Sequence, residues 1–188
     1  MSNALSAPIT LAEFLAWEDR QEFKHEFDGM RIVAMNGVTV AHSTIEANLA
    51  ISIGGRLRGT PCRFYGSNLR TLTDRTSRYP DGVVTCTAGR NEDRATPMPV
   101  VVFEILSRST AGTDRLTKNR EYEAISSIQR YVMLEQDRIE ATVFARAGTD
   151  WLGRILGDGD TLSMPEIGIE VPLAELYAGL TFSPDPET

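Results

Sequence analysis

Hydrophobic positions recur along this chain at two periods, and the switch between them outlines a fold. Thr10-Leu11-Ala12-Glu13 reads as a capping box, and Leu11, Phe14 and Leu15 follow at helical spacing, which predicts a short opening helix. Two β-prone runs, Phe23 to Phe27 and Met30 to Met35, flank Asp28-Gly29 and predict a hairpin. Ser43-Thr44-Ile45-Glu46 is a second capping box. Behind it Ile45, Leu49, Ile53 and Leu57 recur every four residues, predicting a long amphipathic helix from Ser43 to about Arg58. Gly54-Gly55 weakens that helix by up to about 2 kcal/mol relative to alanine, which implies close packing there.

From Pro61 the period shortens to that of strands. Cys62 to Tyr65, Asn68 to Leu72, Tyr79 to Cys86 and Pro99 to Leu106 are short and β-prone, with Gly, Pro, Asn or Asp between them. A helix is predicted from about Thr113 to Ile125, then strands over Arg130 to Glu135 and Glu140 to Arg146, and a last helical turn near Leu173 to Tyr177. The expected organisation is one domain over residues 1–180 with an unstructured tail over 181–188. A long helix, an antiparallel run and a strand–helix–strand unit make a mixed α/β fold, a central sheet flanked by helices.

Composition narrows the class. With 188 residues, 41% of them hydrophobic and 24% charged, the chain suits one globular domain. Roughly 70% of the unfolded surface is buried at this length, enough for a core without metal or disulfide staples. No apolar run approaches the ~18 residues of a membrane span. Met1 to Ile9 lacks the basic and apolar segments of an export signal, so a cytoplasmic location is expected. Cys62 and Cys86 carry no C-x-x-C spacing and are expected to be reduced, half-buried strand residues. A zinc finger, a secreted miniprotein and a coiled coil are excluded.

The formal charge of −7 is uneven. Residues 147–188 hold eight acids against Arg154, while residues 54–78 carry six arginines (Arg56, Arg58, Arg63, Arg70, Arg75 and Arg78) against Asp74. That basic stretch is either a solvated face or a path for phosphates.

Three residues stand out by position. Glu104 interrupts the apolar run Val100 to Leu106, the pattern of a strand covered on both faces. A carboxylate there must be paired, metal-bound or protonated, and a structural ion pair with an arginine is one solution. Asp81, between Pro80 and Gly82-Val83-Val84, opens another buried strand, or else is a turn residue. Lys118 shares a helical face with Ala111, Asp114, Tyr122 and Ile125, opposite Leu116, so it lies on the inward stripe where lysines need partners. It is also one of only two lysines in the chain. An Asp114–Lys118 surface pair is the plainer explanation.

Pro80-Asp81 followed by Glu104 in an apolar strand resembles the Pro-Asp…Glu-x-Lys pattern of the PD-(D/E)XK nuclease superfamily. More closely, the chain resembles the Uma family of putative restriction endonucleases. The resemblance rests on Glu26-Phe27-Asp28-Gly29, His42, Tyr79-Pro80-Asp81, Val102 to Ser107, Asp114…Lys118…Tyr122, Tyr131-Val132 and Pro172 to Tyr177, and runs from about Thr10 to Leu180. It implies a restriction-endonuclease-like core and cleavage of DNA. The superfamily lysine belongs two residues after the glutamate, where this chain has Leu106; the resemblance implies a lysine moved to the next helix, matching Lys118. It further implies Mg²⁺ or Mn²⁺ held by Asp81, Glu104 and the Ile105 carbonyl, with Lys118 orienting water or stabilising phosphoryl charge. Glu26 is a candidate further acid, and His42 either a packing residue or a base.

Two acids and a lysine suit phosphodiester hydrolysis because hard oxygen ligands hold Mg²⁺ and a cation offsets charge on the phosphate. The expected partners are DNA and a second copy of the chain, with no membrane. Two other readings compete. One keeps the fold but not the chemistry, a nucleic-acid-binding or self-associating module with a degenerate site, and Leu106 supports it. The other makes Asp81, Glu104 and Lys118 a buried ion-pair network in an unrelated α/β protein.

Overall fold

The computed structural model describes residues 9–35, 37–106 and 113–182, without the side chains of residues 113–115. In chain order its elements are α1 (Leu11–Glu18), β1 (His25–Phe27), β2 (Ile32–Ala34), α2 (Val40–Arg56), β3 (Arg63–Gly66), β4 (Thr71–Leu72), β5 (Ser77–Arg78), β6 (Gly82–Thr85), β7 (Pro99–Leu106), α3 (Thr113–Ala124), β8 (Arg130–Glu135), β9 (Glu140–Ala147), β10 (Asp150–Gly157), β11 (Thr161–Met164) and β12 (Ile169–Pro172). A 3-10 turn over Leu173–Tyr177 follows. Ser107 to Gly112, the Asp114 side chain and residues 183–188 of the expected tail lie outside the described residues.

The frame is a six-stranded sheet in the order β10-β9-β8-β7-β6-β3. β7 and β8 run parallel, as a crossover through α3 requires, while the other neighbours in this sheet are antiparallel. Alternation along β7 divides the core. Val101, Phe103 and Ile105 pack with Ile45, Leu49 and Ile53 of α2. Val102 and Leu106 pack on the other face with Tyr122, Ile128 and Tyr131. A sheet covered on both faces explains why β7 and β8 read as nearly unbroken apolar runs. The fold is therefore mixed α/β, a central mixed sheet flanked by helices. A smaller sheet, β2-β1-β5-β4, brings the N-terminal hairpin beside the segment that leads into β6. No helix among the described residues is long and apolar enough to cross a membrane.

Four expectations change. The second helix begins at Val40, because Thr39 caps it by accepting the His42 N–H at 3.1 Å. The Ser43 capping box goes unused: Ser43 lies inside the helix, its N–H donating to the Thr39 carbonyl at 3.0 Å, and Glu46 accepts from Ser67 Oγ at 2.8 Å. Gly54-Gly55 does not mark close packing, since a Cβ on Gly54 would meet only Phe64 at 3.8 Å and one on Gly55 nothing within 4 Å. The cysteines are not reduced; Cys62 and Cys86 form a disulfide. The pairing of Arg63 with Thr85 places them at the next cross-strand position, a proximity that their spacing in sequence does not reveal.

Candidate active site

The site forms where β6 and β7 meet the hairpin and α3. Gly82 pairs with Phe103, so one residue further out Asp81 and Glu104 stand alongside on neighbouring strands. Asp81 is clamped: its Oδ2 accepts the Ile105 N–H at 2.6 Å, and its Oδ1 lies 3.3 Å from His42 Nε2. His42 reaches it because the early start of α2 puts this residue in the first helical turn. Ile105 thus serves the site through its backbone, while its side chain packs on the α2 face.

Glu104 is 6% exposed and meets two groups from α3. Lys118 Nζ lies 3.0 Å from each of its oxygens, and Tyr122 donates its hydroxyl to Oε1 at 2.8 Å. Leu106, at the position where the motif would put a lysine, is buried beside Tyr122 on the same sheet face as Glu104. The ammonium therefore arrives from the helix, over a leucine. On the far side of α3, Leu116 is exposed, as the face pattern predicts.

Glu26 completes the cluster from β1. Its Oε1 accepts the Tyr79 N–H at 3.0 Å and lies 3.6 Å from Lys118 Nζ, and its Oε2 lies 3.3 Å from Arg78 Nη1. Arg78 is itself held by Glu121 through bonds of 2.8 and 2.7 Å. Of these residues, Tyr122 was legible on the Lys118 face and in the family resemblance, whereas Glu121 was not singled out from the sequence. Arg78 was legible only as one arginine of the basic stretch, because its partners lie 43 and 52 residues away.

The electrostatics follow from burial. Desolvation pushes Glu104 above the usual carboxylate range; Lys118 opposes this, while Asp81 and Glu26 add to it. Burial would lower Lys118, but Glu104 and Glu26 outweigh it and hold the ammonium above its ordinary value. Burial also acts to lower His42, and its contact with Asp81 outweighs that, so the imidazole is raised. Lys118 is therefore held toward its charged form.

Among the described residues no three His, Cys, Asp or Glu side chains form a ready cage for a metal. The donor set nonetheless suits a hard cation, because Mg²⁺ keeps several waters and needs only one or two carboxylates. Asp81 and Glu104 supply these, standing alongside on neighbouring strands.

The basic stretch over residues 54–78 is not one face. Arg70 is buried against Glu18, Asp19 and the Tyr79 hydroxyl, Arg78 is spent on Glu26 and Glu121, and Arg56 pairs with Glu175. Arg63 bonds the carbonyls of Thr60 and Cys62, which leaves Arg58 and Arg75 as its exposed arginines without such partners among the described residues.

Comparison with known proteins bears on the family and the fold. The Uma2 family, described as "Putative restriction endonuclease", matches residues 11–174. An uncharacterized protein of Synechocystis sp., slr1290, is 31% identical over 97% of this chain and 100% of its own length. A second from the same organism, sll1609, is 25% identical over 77% of this chain and 85% of its own. Among solved structures, a putative nuclease of DUF820 from Anabaena variabilis superposes with a TM-score of 0.74 at 19% identity, covering 91% of this chain and 98% of that one. At that identity the likeness speaks for the fold.

Proposed function

This chain belongs to the Uma2 family, and from that premise we propose that it is a metal-dependent endonuclease that hydrolyses phosphodiester bonds in DNA. The family description and the nuclease-like fold support a nuclease role. The observation that carries the finer reading is Lys118 Nζ, 3.0 Å from both oxygens of Glu104 although Leu106 holds the motif's lysine position.

Asp81 and Glu104, with the Ile105 carbonyl, would hold Mg²⁺ or Mn²⁺. Such an ion, when bound, neutralises phosphate charge and makes a water more acidic. The chain's own residues then have distinct tasks. His42 and the Ile105 N–H fix the Asp81 carboxylate from two sides, so it keeps one orientation. Tyr122 fixes Glu104 by donating to Oε1. Lys118, held protonated by its acidic neighbours, stabilises negative charge that builds on the phosphoryl oxygens, and does so best in a site with little water.

The test is nicking of supercoiled plasmid with Mg²⁺ or Mn²⁺. The parent should cleave, chelation should stop it, and Asp81→Asn should cleave at least about 10²-fold more slowly, the scale for losing a group that stabilises transition-state charge. Equal cleavage by Asp81→Asn would overturn the reading. Leu106 favours one alternative, a module of the same fold that binds nucleic acid without cutting it; DNA binding with no cleavage under any divalent metal would establish that instead.

A further inference from the structure

Glu26 makes contacts that the chemistry above does not use. It stands on β1, outside the six-stranded sheet, yet its carboxylate is anchored twice, by the Tyr79 N–H at 3.0 Å and by Arg78 at 3.3 Å. Arg78 cannot drift away, because Glu121 grips its guanidinium from the other side. Lys118 consequently sits between two carboxylates, 3.0 Å from the oxygens of Glu104 and 3.6 Å from Glu26. A divalent cation on Glu104 would compete with that ammonium for the same lone pairs.

We propose that Glu26 is a positioning residue that receives Lys118 when a divalent cation takes Glu104, so that the ammonium moves between two carboxylates and stays in the site. This rests on the nuclease reading, with Glu104 as a metal ligand. The physical ground is counter-charge. Without Glu26, a cation on Glu104 would displace Lys118 into a poorly hydrated space with no other carboxylate of its own among the described residues, and an unpaired buried charge is strongly unfavourable. With Glu26 fixed nearby, a shift of well under the length of a bond between heavy atoms replaces one ion pair by another. Two lesser roles would leave the same static picture: Glu26 could only satisfy the Tyr79 N–H, or only add negative charge that attracts cations.

A double-mutant cycle on Mn²⁺ affinity, measured by titration calorimetry without DNA, separates these. The proteins are the parent, Glu26→Gln, Lys118→Met and the pair. Glutamine keeps an oxygen for the Tyr79 N–H. Glu26→Gln should weaken Mn²⁺ binding about tenfold in the parent, a coupling typical of residues in one network. In the Lys118→Met background it should change binding by less than about threefold, because no ammonium then needs a second partner. Equal losses in both backgrounds would make Glu26 a mere source of negative charge and overturn the proposal while leaving the nuclease reading intact. Parent affinity in Glu26→Gln would overturn it as well. A parent that binds no Mn²⁺ would defeat both.

A second readout does not depend on the Lys118 variant folding. The chain has two lysines, Lys24 and Lys118, so ¹⁵N-lysine labelling resolves each side-chain ammonium. On addition of Mg²⁺ the Lys118 signal should shift and remain sharp in the parent but broaden in Glu26→Gln. The same response to Mg²⁺ in both proteins would overturn the hand-over.

Discussion

Replacing Lys118 by methionine should expose what it costs to bury Glu104. Methionine keeps most of the apolar stem and removes the ammonium. Glu104 is 6% exposed and lies near Asp81 and Glu26, so in the variant it must stay ionised without a cation or take up a proton. Protonation is the easier course. From an ordinary value of 4.5 it costs about 1.4 kcal/mol per pH unit, hence about 3 kcal/mol at pH 7 and about 5 kcal/mol at pH 8. Those figures match the ~3–5 kcal/mol lost when a buried pair is broken and form a large share of a total stability of ~5–15 kcal/mol. The sign is fixed by the upward shift: the folded variant binds the proton more tightly than the unfolded chain. Its stability is therefore fullest below the unfolded value and falls as pH rises toward the raised folded value. The parent shows the same fall up to its own raised value, and Lys118 limits it by keeping that value lower than in the variant. Urea unfolding at a series of pH values between about 5 and 9 should show a gap between parent and Lys118→Met that holds steady up to about 7, the value to which burial already lifts Glu104 in the parent, and widens above it by up to about 1.4 kcal/mol per unit. Adding Glu104→Gln to the variant should flatten that dependence. A gap that is constant with pH, or below about 0.5 kcal/mol throughout, would refute the buried pair.

Three further outcomes check other parts of the structure. A Cβ on Gly82 would lie 2.8 and 2.9 Å from ring carbons of Phe64 and 3.3 Å from Phe103, so Gly82→Ala should cost about 1–3 kcal/mol by overpacking, whereas Gly55→Ala, with open space and a helical position, should gain up to about 1 kcal/mol in thermal melts. Glu175 is held below its usual range by its hydrogen bond from Arg56, so the stability that Glu175→Gln removes should be present above about pH 4.5 and vanish as pH falls through the lowered value, seen in acid unfolding curves. If Arg58 and Arg75 follow the DNA backbone, replacing both by alanine should flatten the salt slope of DNA affinity by about 0.9 per phosphate released, while Arg70→Ala, which leaves buried Glu18 without its arginine, should lower the unfolding midpoint instead.

Much of the fold was readable because packing repeats locally. The apolar run of β7 matched its observed limits, and the face of α3 carrying Lys118, Tyr122 and Ile125 did turn toward the sheet. Asp81 and Glu104 were legible as acids set against apolar strands, and the structure brings both to one place together with Lys118. What escaped depends on contacts between distant segments. Thr39 and Ser43 are both competent caps, and only the structure shows that the earlier one is used, which puts Ser43 inside the helix and leaves Glu46 to Ser67. The cysteines needed the register of β3 against β6. The arginines of residues 54–78 looked like one charged stretch, but Arg70 and Arg78 each turn inward to acids from other elements, α1 for the first and β1 and α3 for the second. Charge counted along a chain does not reveal which charges are already paired.

The central claim is that Lys118 performs from α3 the task that a lysine at position 106 would perform from the strand. Single-turnover cleavage of a DNA duplex by the parent, Lys118→Ala and Leu106→Lys/Lys118→Ala, with metal saturating and at a pH where all three are folded, tests it directly. Lys118→Ala should be slower by about 10² or more, and the double variant should recover part of that loss, because both ammonium groups reach the same side of Glu104. Cleavage by Lys118→Ala at the parent rate would contradict the account.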